Sequence, residues 1–174
     1  MANDYESILR PFNVANIRIP VGSYQFTTGR VGYTFGQQRP VSGAVLYEQG
    51  EFYDGTRKAL TFNRARVNLS SRLQFEPSVT LNWIDVPFGR ATTKLVSSRV
   101  TYTMTPLMFG SALVQYNSTT NTVSVNARLR WEYSLGSELF VVYNEERFSD
   151  AAGLVTPVLQ NRSFIVKVNR FFRF

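Results

Sequence analysis

Alternation of apolar and polar residues with a period of two is the feature that most constrains the fold of this chain. In residues 64–75 the two kinds of side chain are sorted almost completely, and only Ser71 interrupts the apolar row. One face of this segment would hold Ala65, Val67, Leu69, Leu73 and Phe75, and the other Arg64, Arg66, Asn68, Arg72 and Gln74. Residues 123–133 repeat the pattern, with Val123, Val125, Ala127, Leu129, Trp131 and Tyr133 against Ser124, Asn126, Arg128, Arg130 and Glu132. Successive side chains of a β-strand point to opposite faces, so both segments are predicted strands.

Weaker alternation of the same kind extends over most of the remaining chain. It runs through residues 24–35, 41–53, 79–86, 93–104, 108–117 and 139–147, and a last segment reaches the C-terminus. Together these segments give roughly nine strands of about 9–13 residues, the length that a tilted strand needs to cross a membrane. Strands of soluble proteins average about five or six residues. We therefore predict an all-β fold, an antiparallel up-and-down transmembrane β-barrel of about 8–10 strands that is complete or part of a larger barrel.

The last predicted strand carries an aromatic and apolar row that ends at the C-terminus. This row consists of Phe164, Val166, Val168, Phe172 and Phe174, opposed by Ser163, Lys167, Asn169 and Arg173. Arg170 interrupts the row, and its long side chain would reach toward the membrane edge. A terminal Phe on such a strand is typical of the insertion signal that the outer-membrane assembly machinery recognises. An ordinary C-terminal strand is the alternative interpretation.

The connections between the predicted strands alternate in length. Compact turns are predicted at residues 37–40, 76–78, 105–107 and 135–137, three of them with a proline that fixes φ. Longer loops are predicted at residues 53–57, 87–91, 117–121 and 148–160. Tight turns at one rim and longer loops at the other are typical of outer-membrane barrels. This arrangement leaves residues 1–22 as an N-terminal segment leading into the barrel, or as an extra strand around residues 13–19, before a barrel domain at residues 23–174.

Composition argues against most catalytic chemistry. The chain has no cysteine and no histidine, which removes thiol nucleophiles, histidine bases and nearly every zinc site. The sequence contains no glycine-rich phosphate loop, nucleophile elbow or metal-spacing motif. The net charge is +7, but the lysines and arginines are scattered and do not form the runs typical of nucleic-acid binding. We predict a protein that is not an enzyme, has no catalytic residue, metal or cofactor, and does not bind nucleic acid.

The polar faces of the predicted strands carry many charges. These candidate lumen-facing residues are Arg64, Arg66, Arg72, Arg99, Arg128, Arg130, Lys167, Glu48 and Glu132. In a barrel they would point inward, where buried charges must be paired. One interpretation is a narrow lumen filled by cross-strand ion pairs and water, as is usual in small barrels. The other is a pore that prefers anions, because a ring of arginines attracts anionic solutes.

Aromatic residues lie toward the ends of the apolar rows, where a membrane interface needs them. They are Tyr33, Phe35, Tyr47, Phe75, Trp83, Tyr102, Tyr116, Trp131, Tyr133, Phe172 and Phe174. Amphipathic rings at both rims form the interface girdles of membrane barrels. The alternative is a soluble β-sandwich with a core rich in Phe and Tyr, although such a core does not need apolar rows of this length.

A loose acidic group lies beside the longest predicted loop. It comprises Glu145, Glu146 and Asp150, with Arg147 among them. Carboxylates are hard oxygen ligands, so such a group could hold a divalent cation that links lipopolysaccharide phosphates. A solvated loop is the simpler interpretation, and it is the one that we adopt.

Several short blocks, in the same order along the chain, resemble one bacterial family. The main blocks are residues 39–43, 50–57, 111–118 and 129–144, with further similarity at residues 6–11, 20–24 and 162–174. The family has no assigned function, and its members carry an N-terminal domain similar to carbohydrate-binding modules of family nine, followed by a C-terminal outer-membrane β-barrel. The resemblance covers the barrel region alone, since this chain has no counterpart of the N-terminal domain or of the earlier strands. It therefore implies a barrel, and it implies neither sugar binding nor a pore.

These patterns and the resemblance lead to one functional prediction and two alternatives. We predict a non-catalytic outer-membrane β-barrel of a Gram-negative bacterium that serves as membrane anchor or scaffold for a larger assembly. The alternatives are a narrow pore or transporter domain for anionic or sugar-derived solutes, and a soluble lipocalin-like ligand-binding barrel. The predicted partners are outer-membrane lipid and lipopolysaccharide, the barrel assembly machinery during insertion, and other subunits or missing strands of a larger barrel.

Overall fold

Antiparallel strands make up the regular structure of the chain. A computed structural model describes residues 2–36, 38–39, 41–149 and 158–172. The strands are β1 (Ala2–Ile8), β2 (Phe12–Val14), β3 (Ile17–Ile19), β4 (Gly22–Phe35), β5 (Val41–Phe52), β6 (Gly55–Asn68), β7 (Leu73–Val86), β8 (Gly89–Thr105), β9 (Met108–Asn117), β10 (Thr122–Ser134), β11 (Ser137–Phe148) and β12 (Val158–Asn169). Ten of them form one meander sheet in the order β1, β4 and then β5 to β12, while β2 pairs with β3. The all-β, antiparallel part of the prediction is confirmed, and the ten strands of the large sheet lie within the predicted range of about 8–10.

Most strands of the large sheet have the predicted length of about 9–13 residues or are longer, since β4, β6 and β7 have 14 residues. Apart from β1, those of the large sheet span from 10 residues in β9 to 17 in β8. β10 covers the predicted strand at residues 123–133 and extends it by one residue at each end. Long period-2 alternation is therefore a faithful signal for this part of the chain.

The predicted barrel closure is not observed, because the sheet is open. β1 and β12 stand first and last in the strand order and are its two edges. β1 has only 7 residues and β12 has 12, so a ladder between them would leave much of β12 unpaired. Each edge strand therefore keeps one side on which another strand could pair.

A turn divides the clearest predicted strand, residues 64–75. β6 ends at Asn68 and β7 begins at Leu73. Between them, Ser70 Oγ accepts hydrogen bonds from the backbone N–H groups of Arg72 at 3.2 Å and Leu73 at 3.0 Å. Such local side-chain bonds offer the backbone an alternative to strand pairing. The prediction of one strand over these residues is therefore wrong.

The compact turn predicted at residues 76–78 is also wrong, because β7 runs through it without a break. Pro77 lacks an N–H group and removes one ladder hydrogen bond from an interior strand, which is why a proline favours a turn in sequence. Here the strand continues on both sides of it. Gln74 and Glu76 lie on one face of β7, where Gln74 Nε2 donates a hydrogen bond to Glu76 Oε1 at 2.7 Å.

Two of the predicted longer loops are two-residue turns. Only Tyr53 and Asp54 connect β5 to β6, and their φ angles are 45° and 62°. Left-handed conformations at both positions are typical of the turn whose twist matches that of paired strands. A Cβ atom on the following Gly55 would lie 2.2 Å from Asp85 O and 2.5 Å from Val86 Cα, so glycine is required there. Two residues also join β7 to β8, and the predicted contrast between tight turns and longer loops fails at both places.

The chain divides into two compact units. Unit 1 comprises residues 1–65 and 78–95, and unit 2 comprises residues 66–77 and 96–174. Unit 1 contains a buried apolar cluster formed by Ile8, Ile17, Ile19, Tyr24, Tyr53, Ile84 and Val86. The β2–β3 hairpin contributes Ile17 and Ile19 to this cluster. The extra strand predicted around residues 13–19 is therefore part of a separate small hairpin, and the additional strand of the large sheet is β1.

Candidate functional site

Strands β9 to β12 of unit 2 present one apolar face. The register places Ala127 opposite Ala112 and Tyr143, and Tyr143 opposite Phe164. Because directly opposed residues share a face, the register defines the whole surface. This apolar face carries Met108, Gly110, Ala112, Val114, Tyr116, Val123, Val125, Ala127, Leu129, Trp131, Leu139, Val141, Tyr143, Phe164, Val166 and Val168. The same register also places the charged side chains of Glu145, Arg147 and Arg162 on this face, toward one end of β11 and β12.

The other face of the same strands is mainly polar. This surface, which we call the polar face, carries Ser111, Gln115, Ser124, Asn126, Arg128, Arg130, Glu132, Glu138, Asn144, Glu146, Asn161, Ser163, Lys167 and Asn169. Five apolar side chains lie among them, those of Phe109, Leu113, Phe140, Val142 and Ile165. An amide chain crosses it, since Asn126 Nδ2 donates a hydrogen bond to Asn144 Oδ1, and Asn144 Nδ2 donates to Ser163 Oγ at 3.1 Å. Polar side chains on this face thus bond one another across three strands.

Arg130 is held most closely of the predicted lumen-facing charges. Its Nε donates a hydrogen bond to Glu138 Oε1 at 3.0 Å, and the two side chains form an ion pair. Its guanidinium carbon lies 5.8 Å from the ring centre of Phe109 and 5.9 Å from that of Phe140. An arginine between two rings gains cation–π attraction besides its ion pair.

Two further predicted charges of unit 2 have close partners. Arg66 Nη2 lies 3.6 Å from Glu76 Oε1. Glu132 Oε1 accepts a hydrogen bond from the Gly136 N–H at 3.1 Å and so fastens the turn between β10 and β11. The sequence alone does not predict either partner, because Glu76 meets Arg66 only through the strand register and Gly136 meets Glu132 only through the geometry of the turn.

The remaining predicted charges of unit 2 differ in position. Arg128 lies opposite Ser111 and Val142, and Lys167 lies opposite Phe140, all on one face. Arg99 lies within β8. Arg72 lies in the turn between β6 and β7 and not on a strand, and its carbonyl oxygen accepts a hydrogen bond from Thr103 N at 2.8 Å.

Unit 1 holds the last two predicted charges, Glu48 and Arg64. Glu48 forms ion pairs with two arginines. Arg30 Nε lies 2.6 Å from Glu48 Oε1, and Arg57 Nη2 lies 4.0 Å from Glu48 Oε2. The Arg57 guanidinium also lies 5.7 Å from the ring centre of Phe52. Arg64 is an exposed residue of β6 with a φ of 52°, a left-handed conformation that interrupts regular alternation there.

A buried tyrosine ties the β5–β6 turn to the first strand. Tyr53 is 5% exposed, and its hydroxyl donates a hydrogen bond to Glu6 Oε2 at 2.9 Å. Burial, followed by the hydrogen bond and the charge of Glu6, raises the pKa of Tyr53 from 10.0 to about 12. The ring also makes edge contacts with Phe12, Tyr24 and Phe26.

Most of the predicted interface aromatics are exposed. Tyr33, Tyr47, Trp83, Tyr102, Trp131 and Tyr133 are exposed, and Tyr116 is half-buried. In unit 2, Tyr133 Oη donates a hydrogen bond to Asn169 O at 3.1 Å and its ring contacts Trp131. Tyr116 of β9 lies opposite Val123 of β10, and Val123 is eight residues from Trp131 along β10. At about 3.4 Å per residue these rings are roughly 27 Å apart along the strand.

The predicted insertion signal lies on β12 and beyond its end. Phe164, Val166 and Val168 belong to the apolar face and are 67%, 52% and 62% exposed. The strand ends at Asn169, so the prediction that it continues to the C-terminus is wrong for the described residues. The reason is local, since the N–H of Phe171 donates to the buried Ser137 Oγ at 3.0 Å. Phe172 follows with Arg170 over its ring, and Phe174 lies outside the described residues.

Glu145 is bound by cations, in contrast to the open acidic group considered from the sequence. It forms ion pairs with Arg147 and Arg162, and it accepts a hydrogen bond from the hydroxyl of Tyr143. Asp150 lies outside the described residues. Within the described part of the chain, no group of three or more acidic, histidine or cysteine side chains is placed to hold a metal ion.

Comparison with protein-family models, with curated proteins and with solved structures finds no match to this chain. The resemblance to the bacterial barrel family therefore stays a prediction. Within the described residues, no helix has the length and apolar character to cross a membrane.

Proposed function

We propose that this chain is a non-catalytic wall segment of an outer-membrane β-barrel that anchors a larger assembly in the bacterial outer membrane. One observation carries the proposal: four neighbouring strands of unit 2 separate a largely apolar face from a largely polar one. Strands that separate lipid from a polar interior alternate in this way. A membrane-spanning wall also requires that each backbone group be paired, which interior strands of a sheet provide.

The dimensions of the apolar face support the same proposal. On β9 and β10, Tyr116 and Trp131 border the apolar face, and the residue opposite Tyr116 lies eight residues from Trp131 along β10. On β11 and β12 the ion-paired Glu145 and Arg162 lie two residues inside the Tyr116 border. With a strand tilt of about 40°, the roughly 27 Å between Tyr116 and Trp131 projects to about 21 Å, close to the roughly 25 Å apolar band of outer-membrane barrels. Tyrosine and tryptophan at both borders are the side chains that prefer the lipid headgroup region.

The open edges point to further strands. β1 and β12 each have one neighbour in the sheet, and β12 exposes the apolar side chains of Phe164, Ile165, Val166 and Val168. An exposed edge of this kind pairs readily with another strand. We propose that closure comes from other strands of a larger barrel or from another subunit, and the family resemblance predicts the same arrangement.

Charge pairing favours an anchor over an anion-selective pore. Glu48 is shared by two arginines in unit 1, and Arg66 and Arg130 each have a carboxylate partner in unit 2. Paired charges lose most of the field that would attract anionic solutes. Ion pairing at Glu48, Arg66 and Arg130 therefore supports a filled lumen over a conducting one.

Flotation with lipid vesicles after refolding tests the proposal. The chain is expected to float with phospholipid vesicles, to resist an alkaline carbonate wash, and to show no discrete channels in planar bilayers. The paired variants Val125→Asp/Leu129→Asp and Ser124→Asp/Asn126→Asp add the same charge to the two faces of β10. Only the first is expected to abolish flotation. A monomer that stays soluble at high concentration without detergent would overturn the proposal and favour a soluble ligand-binding barrel.

A further inference from the structure

An open, shallow groove of about 320 Å³ lies in the apolar face of unit 2. Small residues line its floor and taller side chains border it. The floor residues are Gly110, Ala112 and Ala127, and the bordering residues include Tyr102, Val141 and Tyr143. This volume is at the lower end of the range of about 300–1,000 Å³ for small-molecule sites.

The register explains why the surface is depressed here. Ala112 lies opposite Ala127, which in turn lies opposite Tyr143, so a row of two methyl groups ends at a tall ring. The backbone does not require glycine at Gly110. A Cβ atom added there would have Arg128 O as its nearest neighbour, at an ordinary contact distance of 3.7 Å. The missing side chain therefore leaves space that no other part of the described structure fills at this position.

The groove leads to a cluster of charged side chains at one end of β11. Tyr143 borders the groove and donates a hydrogen bond to Glu145 Oε2. Glu145 lies two residues further on the same face, about 7 Å along the strand. Its two carboxylate oxygens hold Arg147 Nε and Arg162 Nε, the latter at 2.9 Å.

The exposed surface of this cluster is cationic. The side chain of Glu145 is only 13% exposed, while those of Arg147 and Arg162 are 36% and 49% exposed. Two arginines and one carboxylate carry a net charge of +1. Glu145 fixes both guanidinium groups on neighbouring strands, and such preorganisation lowers the cost of binding an anion.

We propose that the groove and the arginine pair Arg147 and Arg162 bind one phosphorylated, acylated lipid, with an acyl chain in the groove and the phosphate at the arginines. Guanidinium groups match the geometry of phosphate oxygens, and methyl groups and rings match an alkyl chain. The site thus joins an apolar half and a cationic half in the order that such a lipid presents them. The inference rests on the proposed function, because acyl chains meet this face only if it lies in a membrane.

Lipid binding to the full chain, refolded in micelles of a non-ionic detergent, tests the inference. Native mass spectrometry would count bound short-chain phosphatidate, the matching diacylglycerol and inorganic phosphate. Phosphatidate is expected to bind at least about tenfold more tightly than diacylglycerol, because charge-assisted hydrogen bonds add to acyl burial. Inorganic phosphate is expected to bind weakly, and added salt should weaken only the binding of phosphatidate.

Three variants separate the two halves of the site. Arg147→Gln/Arg162→Gln is expected to reduce phosphatidate affinity about tenfold and leave diacylglycerol unchanged. Gly110→Val fills the groove and should weaken both lipids. Lys167→Gln removes one positive charge from the opposite face of β12, the strand that carries Arg162, and is expected to change neither.

Three results would overturn the inference. They are equal binding of phosphatidate and diacylglycerol, equal binding of free phosphate and phosphatidate, or a loss in Lys167→Gln as large as that in the arginine variant. Vesicle flotation of the same preparations separates this failure from failure of the proposed function. A chain that floats but shows any of these results is a membrane protein without the lipid site, whereas a chain that does not float contradicts both.

Discussion

Replacing Tyr53 with phenylalanine is expected to reverse its effect on stability between neutral and high pH. At pH 8 the variant loses the hydroxyl that donates to Glu6. Glu6 is exposed, so water replaces the lost donor and the cost is about 1 kcal/mol, the usual net value of one hydrogen bond. The wild-type chain should therefore unfold at a higher denaturant concentration than Tyr53→Phe at this pH.

The order should invert in alkali. The pKa of Tyr53 is raised from 10.0 to about 12 in the folded chain. The folded state therefore holds this proton more tightly than the unfolded state, and the associated stability is present below pH 10 and is lost as the pH rises toward 12. Two pKa units correspond to about 2.7 kcal/mol, of which about 1.9 kcal/mol is lost by pH 11.5. The two stability curves should cross near about pH 10.7, and at pH 11.5 Tyr53→Phe should be more stable by about 1 kcal/mol.

Guanidinium unfolding in micelles, followed by circular dichroism at pH 8 and pH 11.5, measures this crossing. Ile19→Ala serves as a control in the same buried cluster, since it carries no titratable group. Its unfolding free energy is expected to be about 2–5 kcal/mol below that of the wild type at both pH values, as for other large truncations in a core. If the unfolding free energies of wild type and Tyr53→Phe differ by the same amount at pH 8 and at pH 11.5, the role assigned to burial of this hydroxyl is refuted.

Other substitutions test the turn, the chain end and the lipid-facing surface. Gly55→Ala forces a Cβ atom to within 2.2 Å of Asp85 O and is expected to lower the unfolding free energy by more than about 2 kcal/mol in denaturant titrations. Ser137→Ala removes the acceptor of the Phe171 N–H and should speed hydrogen exchange of that amide about tenfold, as followed by NMR. Ala127→Arg places a charge on the apolar face midway between the rows of Tyr116 and Trp131 and should cost about 2–4 kcal/mol in vesicles, whereas Asn126→Arg on the polar face should cost less than about 1 kcal/mol. Equal costs for these last two variants would contradict the assignment of the faces.

Alternation predicted the fold where two faces differ over many residues. The segment at residues 123–133 matches β10 because its apolar and polar side chains keep strict order on both faces. The same signal failed at residues 64–75, where a turn of four residues happens to continue the alternation. Ser70 is the residue in this segment that indicates a turn, because its hydroxyl accepts hydrogen bonds from the backbone of the turn. Periodicity alone cannot separate a turn of this composition from a strand.

The side-chain partners could not be predicted, because they depend on register. Arg130 meets Glu138, and Arg162 meets Glu145, only when the turns fix which residues of β10, β11 and β12 are opposite. One residue of slip would place each of these side chains on the other face. The bond between Tyr53 and Glu6 joins residues 47 positions apart and arises from tertiary packing alone.

Collision accessibility of spin labels along β10 tests the central claim most directly. The chain has no native cysteine, so single cysteines at each of residues 123–130 can be labelled one at a time in vesicles. Oxygen dissolves in lipid, and it is expected to reach labels at 125, 127 and 129 best, so that accessibility has a period of two residues. A water-soluble nickel complex should not reach these positions. Labels at 125, 127 and 129 that collide freely with the nickel complex, or accessibility without a period of two, would contradict the account.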